Sequence, residues 1–208
     1  MMMGLGFPRK GATGRSAVVG CTLGLALSAL GLGCARVTSL TVPLVYRPTD
    51  RVNINKFAGV YGSEKIYLSV VDSRTDQTAL GACTEQTPPV PVQAQGSAAD
   101  FVRDALAKEF RGAGLTVVDS PSGAPRALNL QLTTFAVNEQ QLYRTDITGR
   151  AELKDARGKV LWSGMVAGNN ERWGGTLKAE NYQEGLSDAV VMLADGILSN
   201  PEFQRRMK

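Results

Sequence analysis

Apolar and polar residues alternate along the segment from Ala127 to Val137. Leucines occupy every second position at its start, with Asn129 and Gln131 between them. Strict alternation is typical of a strand with one face in a core and the other in water. Residues 142–153 and 159–166 repeat this rhythm, and the turn sequence 155–158 separates them. The pattern therefore predicts an antiparallel meander of three strands.

Two other segments have helical periodicity. Ser97 is a predicted N-cap, and the apolar residues that follow it up to Phe110 recur at spacings of three and four. Gly112 and Gly114 predict the end of this helix. A second helix is predicted from about residue 178 to 199, where Asn200-Pro201 stops it.

The remaining segments complete the predicted fold. Residues 64–72 and 115–119 are rich in β-branched residues and predict two more strands. We expect an α+β fold, with a mixed, mostly antiparallel sheet and two helices packed on one face. The glycine- and proline-containing segments Ser73–Gly96 and Gly168–Gly175 are interpreted as loops.

The periodic apolar positions of these elements predict one common core. Trp162, inside the third meander strand, is expected to belong to it. The other expected core residues are Leu68, Val70, Leu106, Phe110, Leu130, Leu132, Leu186 and Leu193.

The N-terminal segment has the organisation of a secretory signal. Three basic residues precede an apolar run over residues 17–32, which ends in Gly33-Cys34. This ending resembles the lipobox of bacterial lipoproteins, in which the cysteine receives a diacylglycerol, although Gly31 stands where the pattern prefers leucine. We therefore expect a lipoprotein signal peptide at 1–33, lipidation of Cys34, a tether with a possible edge strand at 34–62, and a single periplasmic domain at 63–208.

Charge and composition narrow the function. Removal of residues 1–33 leaves 20 basic and 19 acidic side chains, a net formal charge of +1, which does not favour nucleic-acid binding. The chain has no histidine, the commonest general base and a common zinc ligand. We expect no catalytic residues, no metal site and no cofactor, and interpret the protein as a non-enzyme.

A few residues are candidates for binding. Arg172, Trp173 and Tyr182 could form an exposed patch that contacts a partner; the alternative is that Trp173 folds onto the sheet and Arg172 is solvated. Asp72 and Asp76 could act as a carboxylate pair, but turn and capping roles are favoured. Cys83 has no expected disulfide partner and is interpreted as incidental.

The order of several motifs resembles the YajG-like family of bacterial lipoproteins. The resemblance covers residues 64–200 and rests on Val70-Val71-Asp72-Ser73-Arg74, the helix and strand over 101–118, strands 128–135 and 151–162, and Leu186-Ser187-Asp188-Ala189. The resemblance implies a lipid-anchored periplasmic domain, at the outer rather than the inner membrane, with no assigned reaction.

The leading expectation is a non-enzymatic binding module, held at the membrane by lipid on Cys34. It is expected to contact another envelope protein through the loops Ser73–Gly96 and Gly168–Gly175. One alternative is a lipid- or small-ligand-binding auxiliary of an envelope transport system, which needs a continuous apolar cavity. Another is an activator of cell-wall synthesis that uses an exposed sheet or loop surface. The sequence leaves the oligomeric state open.

Overall fold

The computed structural model describes residues 37–49 and 52–208. The predicted signal peptide and Cys34 lie outside the described residues. The strands, numbered in chain order, are β1 (Leu40–Pro43), β2 (Lys65–Asp72), β3 (Ala79–Cys83), β4 (Val90–Gln95), β5 (Thr116–Val118), β6 (Arg126–Gln140), β7 (Leu142–Asp155) and β8 (Val160–Arg172). The helices are α1 (Ala98–Gly112), α2 (Ala179–Ser199) and α3 (Pro201–Met207).

The long strand β6 organises the sheet. It pairs along its length with antiparallel β7, which in turn pairs with antiparallel β8. On its other side, β6 pairs in parallel with β2 over residues 126–132 and with β3 at Glu139. Strand β5 extends the sheet from β2, and β4 and β1 extend it from β3. Most of the paired residues lie in β6–β8, so the predicted α+β fold with a mixed, mostly antiparallel sheet is confirmed.

The period-two pattern places the core as predicted. Leu128, Leu130 and Leu132 of β6 are buried, whereas Gln131 and Thr133 are exposed. Seven of the eight residues expected in the core are buried, and Val70 is partly buried against it. Trp162 is also buried, with its ring 5.4 Å from that of Phe203.

Helix α1 begins and ends where its sequence predicts. The Ser97 hydroxyl accepts a hydrogen bond from the Asp100 amide at 3.1 Å, which satisfies a donor of the first turn. The chain leaves the helix through Gly114, whose φ of 95° favours glycine. The apolar face of α1 packs into the core through Phe101, Leu106 and Phe110.

Both predicted loops are shorter than expected. Within Ser73–Gly96, β3 and β4 form an antiparallel pair despite Pro91, whose missing amide is tolerated at a strand position that needs no donor. Within Gly168–Gly175, β8 continues to Arg172, because Gly168, Asn170 and Arg172 extend the alternation of the strand. The loops that remain are 73–78, 84–89 and 173–178.

The segment interpreted as a tether packs against the domain. Strand β1 lies at one edge of the sheet and pairs in parallel with β4. Ile54, Phe57 and Tyr61 are buried in the core. The folded domain therefore includes residues 37–49 and 52–62, in addition to the expected 63–208.

The last residues form a third helix that the sequence analysis did not predict. Asn200 ends α2, and its side chain also caps α3 by accepting from the amides of Glu202 and Phe203, both at 3.0 Å. Pro201 suits the first turn of a helix because its missing amide would have no partner there. Phe203 and Met207 anchor α3 in the core. Among the described residues, no helix has the length and apolar character needed to span a bilayer.

Candidate interaction site

Trp173 is the largest exposed apolar side chain of the described residues. It follows the last residue of β8 and begins the loop 173–178, and 76% of its surface is exposed. The alternative in which Trp173 folds back onto the sheet is therefore wrong. An exposed indole on a folded domain is a candidate for contact with a partner.

A buried carboxylate holds this loop in place. Glu139 continues the inward alternation of β6 and is only 2% exposed. It accepts hydrogen bonds from the Tyr182 hydroxyl at 2.6 Å and from the Leu177 amide at 3.1 and 3.2 Å. These bonds offset the cost of burying a carboxylate and fix the loop to β6 and α2.

A second set of bonds fixes the middle of the loop. The carbonyl oxygen of Gly175 accepts from the Tyr143 hydroxyl and from the Asn181 amide group, the latter at 2.9 Å. The rings of Tyr143 and Tyr182 meet edge to face, with centroids 4.9 Å apart. The loop that carries Trp173 is thus attached to β6, β7 and α2.

The other two residues of the expected patch support the scaffold instead. Tyr182 is fully buried, and burial beside Glu139 raises the pKa of its hydroxyl above the ordinary value. The Arg172 side chain is 12% exposed and forms an ion pair with Glu184. The expectation of an exposed patch made by Arg172, Trp173 and Tyr182 is therefore corrected. Arg172 faces inward, toward α2, Tyr182 of α2 is buried against β6 and β7, and Trp173 alone is exposed.

Three residues of α2 bind the N-terminal segment. The Gln183 side chain donates to the Pro43 carbonyl at 2.8 Å, and the Ser187 hydroxyl accepts from the Arg47 amide at 2.8 Å. Asp188, 3% exposed, accepts from the Thr49 amide and hydroxyl at 2.8 and 2.7 Å. We call Gln183, Ser187 and Asp188 the N-terminal clamp. The sequence analysis missed its role, although polar residues among the apolar positions of α2 were its signal.

Asp72 and Asp76 have the turn roles that were favoured. Asp72 pairs with Arg74 at 2.7 Å, and Arg74 also donates to the Phe135 carbonyl. Asp76 accepts from the Thr78 hydroxyl at 2.8 Å and from the amides of Thr78 and Ala79. The Thr78 hydroxyl, followed by these amides, holds the pKa of Asp76 below its usual range.

Cys83 lies at the end of β3, in a strand rather than in the expected loop. Its side chain is fully buried, and burial raises the pKa of its thiol above the ordinary value. A protonated, buried thiol is a poor nucleophile. Among the described residues, no three His, Cys, Asp or Glu side chains cluster in a way that could hold a metal ion.

The two shortened loops meet at one end of the sheet. Glu85 of the first accepts from the Thr176 hydroxyl of the second at 2.9 Å and from the Gln141 amide of the β6–β7 turn at 2.7 Å. Residues 37–39 precede β1 at the same end, because Leu40 pairs with Val92 near the start of β4. We call this surface, made of residues 37–39, 84–89, 140–142 and 173–178, the loop end.

The helices leave the other face of the sheet uncovered in the described part of the chain. One row across four strands joins Val71, Gln131, Arg150 and Met165. Val71 is 57% exposed and Met165 is 69% exposed. We call this surface, which includes the row and its neighbours Ser69, Asn129, Glu152 and Ser163, the open face.

The depression between α1 and β5 lacks the character of a lipid pocket. Its volume is about 390 Å³, and its lining includes Arg103, Asp104, Arg111 and Asp119. Ligand pockets for apolar molecules are lined mainly by apolar side chains. This depression therefore does not supply the apolar cavity that a carrier of lipid needs.

These features define a class of protein: an α+β domain that presents two exposed surfaces and attaches its N-terminal segment to its own second helix. A family model described as uncharacterized lipoprotein matches residues 52–208. The chain belongs to this family of YajG-like bacterial lipoproteins, which confirms the resemblance seen in the sequence. Comparison with curated proteins found no match.

Three solved structures of bacterial proteins are similar to this chain. A DUF330 protein from Xanthomonas campestris has a TM-score of 0.54 at 12% identity, over 80% of this chain and 96% of that chain. A minor lipoprotein from Acinetobacter baumannii has a TM-score of 0.42 at 10% identity, over 68% and 94%. A PelC dodecamer from Paraburkholderia phytofirmans has a TM-score of 0.41 at 15% identity, over 67% and 88%. At these identities the first likeness shows the fold alone, and the two lower scores carry no argument.

Proposed function

We propose that this protein is a non-enzymatic envelope lipoprotein, anchored by lipid on Cys34, whose periplasmic domain binds another envelope protein through the open face. Membership of a lipoprotein family supports the envelope location. Within that location we propose the outer membrane, with the domain facing the periplasm.

Lipidation of Cys34 is tested by mass spectrometry of protein purified from membranes. The expected mature chain lacks residues 1–33 and carries an added diacylglycerol. The Cys34→Ser variant should lose this processing. A mature terminus elsewhere, or a Cys34→Ser form that stays membrane-bound with the same processing, would refute the anchor. Separation of the two membranes by density tests the outer-membrane assignment.

The exposed row of the open face carries the proposal of a protein partner. Met165 and Val71 lie at its two ends, and Arg150 lies between them beside Glu152, 3.5 Å away. Interfaces between proteins are enriched in methionine and arginine, and a non-obligate interface is only about as apolar as the remaining surface. A flat face with exposed methionine and arginine fits such an interface.

The experiment is chemical crosslinking in intact cells followed by purification of the protein. Met165→Asp should lose a crosslinked envelope protein that the wild type retains, because it places a charge within the proposed contact. Met192→Asp is the matched control, since Met192 is 42% exposed on α2, away from the open face. If Met165→Asp keeps the partner and Met192→Asp loses it, the open face is the wrong surface.

The two alternative functions, activation of cell-wall synthesis and carriage of a lipid or small ligand, are not equally well supported. An activator of cell-wall synthesis would also bind a protein through an exposed surface, so identification of the crosslinked partner decides whether that narrower function applies. A lipid or small-ligand carrier receives no support from the charged depression beside α1. We therefore retain protein binding as the proposed function.

A further inference from the structure

The strand register places the start of the domain and Trp173 at one end of the molecule. β4 begins beside the end of β3, where Val90 pairs with Cys83. Cys83 pairs in turn with Glu139, near the end of β6. The β6–β7 turn follows, and Tyr143 pairs with Arg172 immediately before Trp173. The chain therefore enters the sheet from the loop end, which also carries Trp173.

The chain between Cys34 and the sheet is short. Six steps separate Cys34 from Leu40, the first residue of β1. Even fully extended, six residues reach only about 20 Å. Strand β6 has 15 residues and at about 3.3 Å each is about 50 Å long, so the opposite end of the sheet lies beyond that reach. A lipid on Cys34 therefore keeps the loop end near the membrane.

The N-terminal clamp adds to this restriction. It bonds α2 to residues 43–49, and the Tyr46 hydroxyl donates to Glu109 of α1 at 2.5 Å. Because these bonds lie on the far side of β1 from Cys34, they hold β1 in the domain and leave little slack between it and the lipid. Unpairing of β1 from β4 could lengthen the tether by only about four residues before these bonds hold the chain.

The two ends of the sheet differ in charge. The 18 residues of the loop end include two charged side chains, Glu85 and Lys178. The opposite end is densely charged, and the Arg126 side chain donates there to the Arg206 carbonyl at 2.9 Å. Its charged residues are Glu64, Lys65, Arg126, Lys154, Asp155, Arg157, Lys159, Arg205, Arg206 and Lys208. Basic side chains are attracted to an anionic headgroup surface, but charge is costly to bury in the apolar layer beneath it. The loop end, with few charges, is therefore the end suited to insert a side chain into the bilayer.

Trp173 has the chemistry of a residue at the boundary of a bilayer. Tryptophan is enriched at the membrane–water interface, where the ring lies at the level of the headgroups and its N–H keeps a polar partner. The bonds from Glu139, Tyr143 and Asn181 hold its loop in one place, so exposure of the indole is built into the fold.

We propose that the loop end rests on the lipid surface and that Trp173 inserts into the interfacial layer beside the anchor. The proposal rests on lipidation of Cys34 from the proposed function. It leaves the open face, which lies along the sheet rather than at its end, accessible to a protein partner.

Tryptophan fluorescence tests this orientation, because the chain has two tryptophans and one of them is buried. The Trp162→Phe variant reports on Trp173, and the Trp173→Phe variant reports on Trp162. Each full-length protein, purified from membranes with its lipid, is placed in phosphatidylethanolamine–phosphatidylglycerol vesicles with acyl chains brominated near the headgroup. Bromine should quench Trp173 emission and leave Trp162 emission unchanged.

A tryptophan at the opposite end is the matched control. Ala156→Trp, placed in the Trp173→Phe background in the turn between β7 and β8, should give emission that bromine does not quench. Because its background retains Trp162, this arm does not depend on the folding of the Trp162→Phe variant. Quenching of the tryptophan at 156 would place the wrong end at the membrane and overturn the proposal.

The remaining outcomes distinguish failure of the proposed orientation from failure of the proposed lipid anchor. Unquenched Trp173 in a protein whose Cys34 carries lipid overturns the orientation alone. Absence of lipid on Cys34 overturns the anchor and the orientation together. If lipid leaves Trp173 open to an aqueous quencher and an added envelope protein shields it, Trp173 contacts protein and the membrane proposal is wrong.

Discussion

Glu139 occupies a position that the alternation of β6 assigns to apolar side chains. It follows the inward-facing Phe135 and Val137, and its carboxylate is compensated by Tyr182 and by the Leu177 amide. A buried carboxylate invites a catalytic interpretation. The hydrogen bonds of Glu139 instead indicate a structural role, because they attach the loop that carries Trp173 to β6 and α2.

Removal of the Tyr182 hydroxyl should therefore destabilise the domain. We expect Tyr182→Phe to lower the free energy of unfolding by about 1.5–3 kcal/mol, because a buried carboxylate loses a hydrogen bond. Urea denaturation measures the change. Tyr67→Phe, on the partly exposed face of β2, should have little effect, and an equal loss in both variants would contradict the role given to Glu139.

The leucines of β6 allow a test of the core assignment. Leu130→Ala should lower the free energy of unfolding by about 2–5 kcal/mol, because the buried side chain leaves a cavity. Ser163→Ala on the open face is the control and should be close to neutral. Chemical denaturation curves that coincide for wild type and Leu130→Ala would show that the sheet faces are assigned the wrong way round.

Asp76 makes the stability of the turn after β2 depend on pH. Its lowered folded-state pKa means that the carboxylate stabilises the turn above its ordinary pKa and loses this effect as the pH falls through the folded value. The stability advantage of wild type over Asp76→Asn should therefore shrink below about pH 4. Urea denaturation at several pH values measures it, and a difference that does not vary with pH would contradict the assignment.

At the scale of the element, the sequence predicted those helices and strands whose signals lie within the element itself. The N-cap of α1, the period of α2 and the alternation of β6 each identify an element without reference to its neighbours. Strands β3 and β4 are short, contain Gly81 and Pro91, and become strands by pairing with each other and with β6. Pro201 was interpreted as the end of a helix, although the same residue type also begins one.

Helix α3, which was not predicted from the sequence, should contribute strongly to the free energy of unfolding. Phe203→Ala should lower the free energy of unfolding by about 3–5 kcal/mol, because the ring is fully buried against Trp162, Tyr61 and Phe110. Thermal and chemical denaturation measure the loss. Arg205→Ala, on the exposed side of the same helix, should change stability little. A small effect of Phe203→Ala would mean that α3 is not part of the core.

At the scale of the whole molecule, the candidate surfaces depend on packing that no single segment specifies. Trp173 was identified from sequence as a possible contact residue, and its exposure agrees with that. The sequence alone did not show that Arg172 and Tyr182 differ from Trp173 in exposure. Their burial depends on which face of α2 meets β8. The N-terminal clamp joins residues about 140 positions apart, so the polar residues of α2 were a signal that did not identify their partners.

Loss of the N-terminal clamp should expose the segment that it binds. We expect Asp188→Ala to accelerate chymotryptic cleavage after Tyr46, because Thr49 loses both bonds to the carboxylate. Asp119→Ala, exposed near the opposite end, is the control. Mass spectrometry of a digestion time course identifies the cleavage site. Equal cleavage rates in wild type and Asp188→Ala would contradict the clamp.

The clamp and the parallel pairing of β1 with β4 also decide how the protein responds to force. If the chain is anchored through Cys34 as proposed and a partner holds the domain, tension enters β1 at its first residue. The hydrogen bonds between β1 and β4 then share the load in shear, and the bonds from α2 and α1 share it next. An edge strand that would peel easily from its other end thus becomes a mechanical coupling between the proposed anchor and the domain.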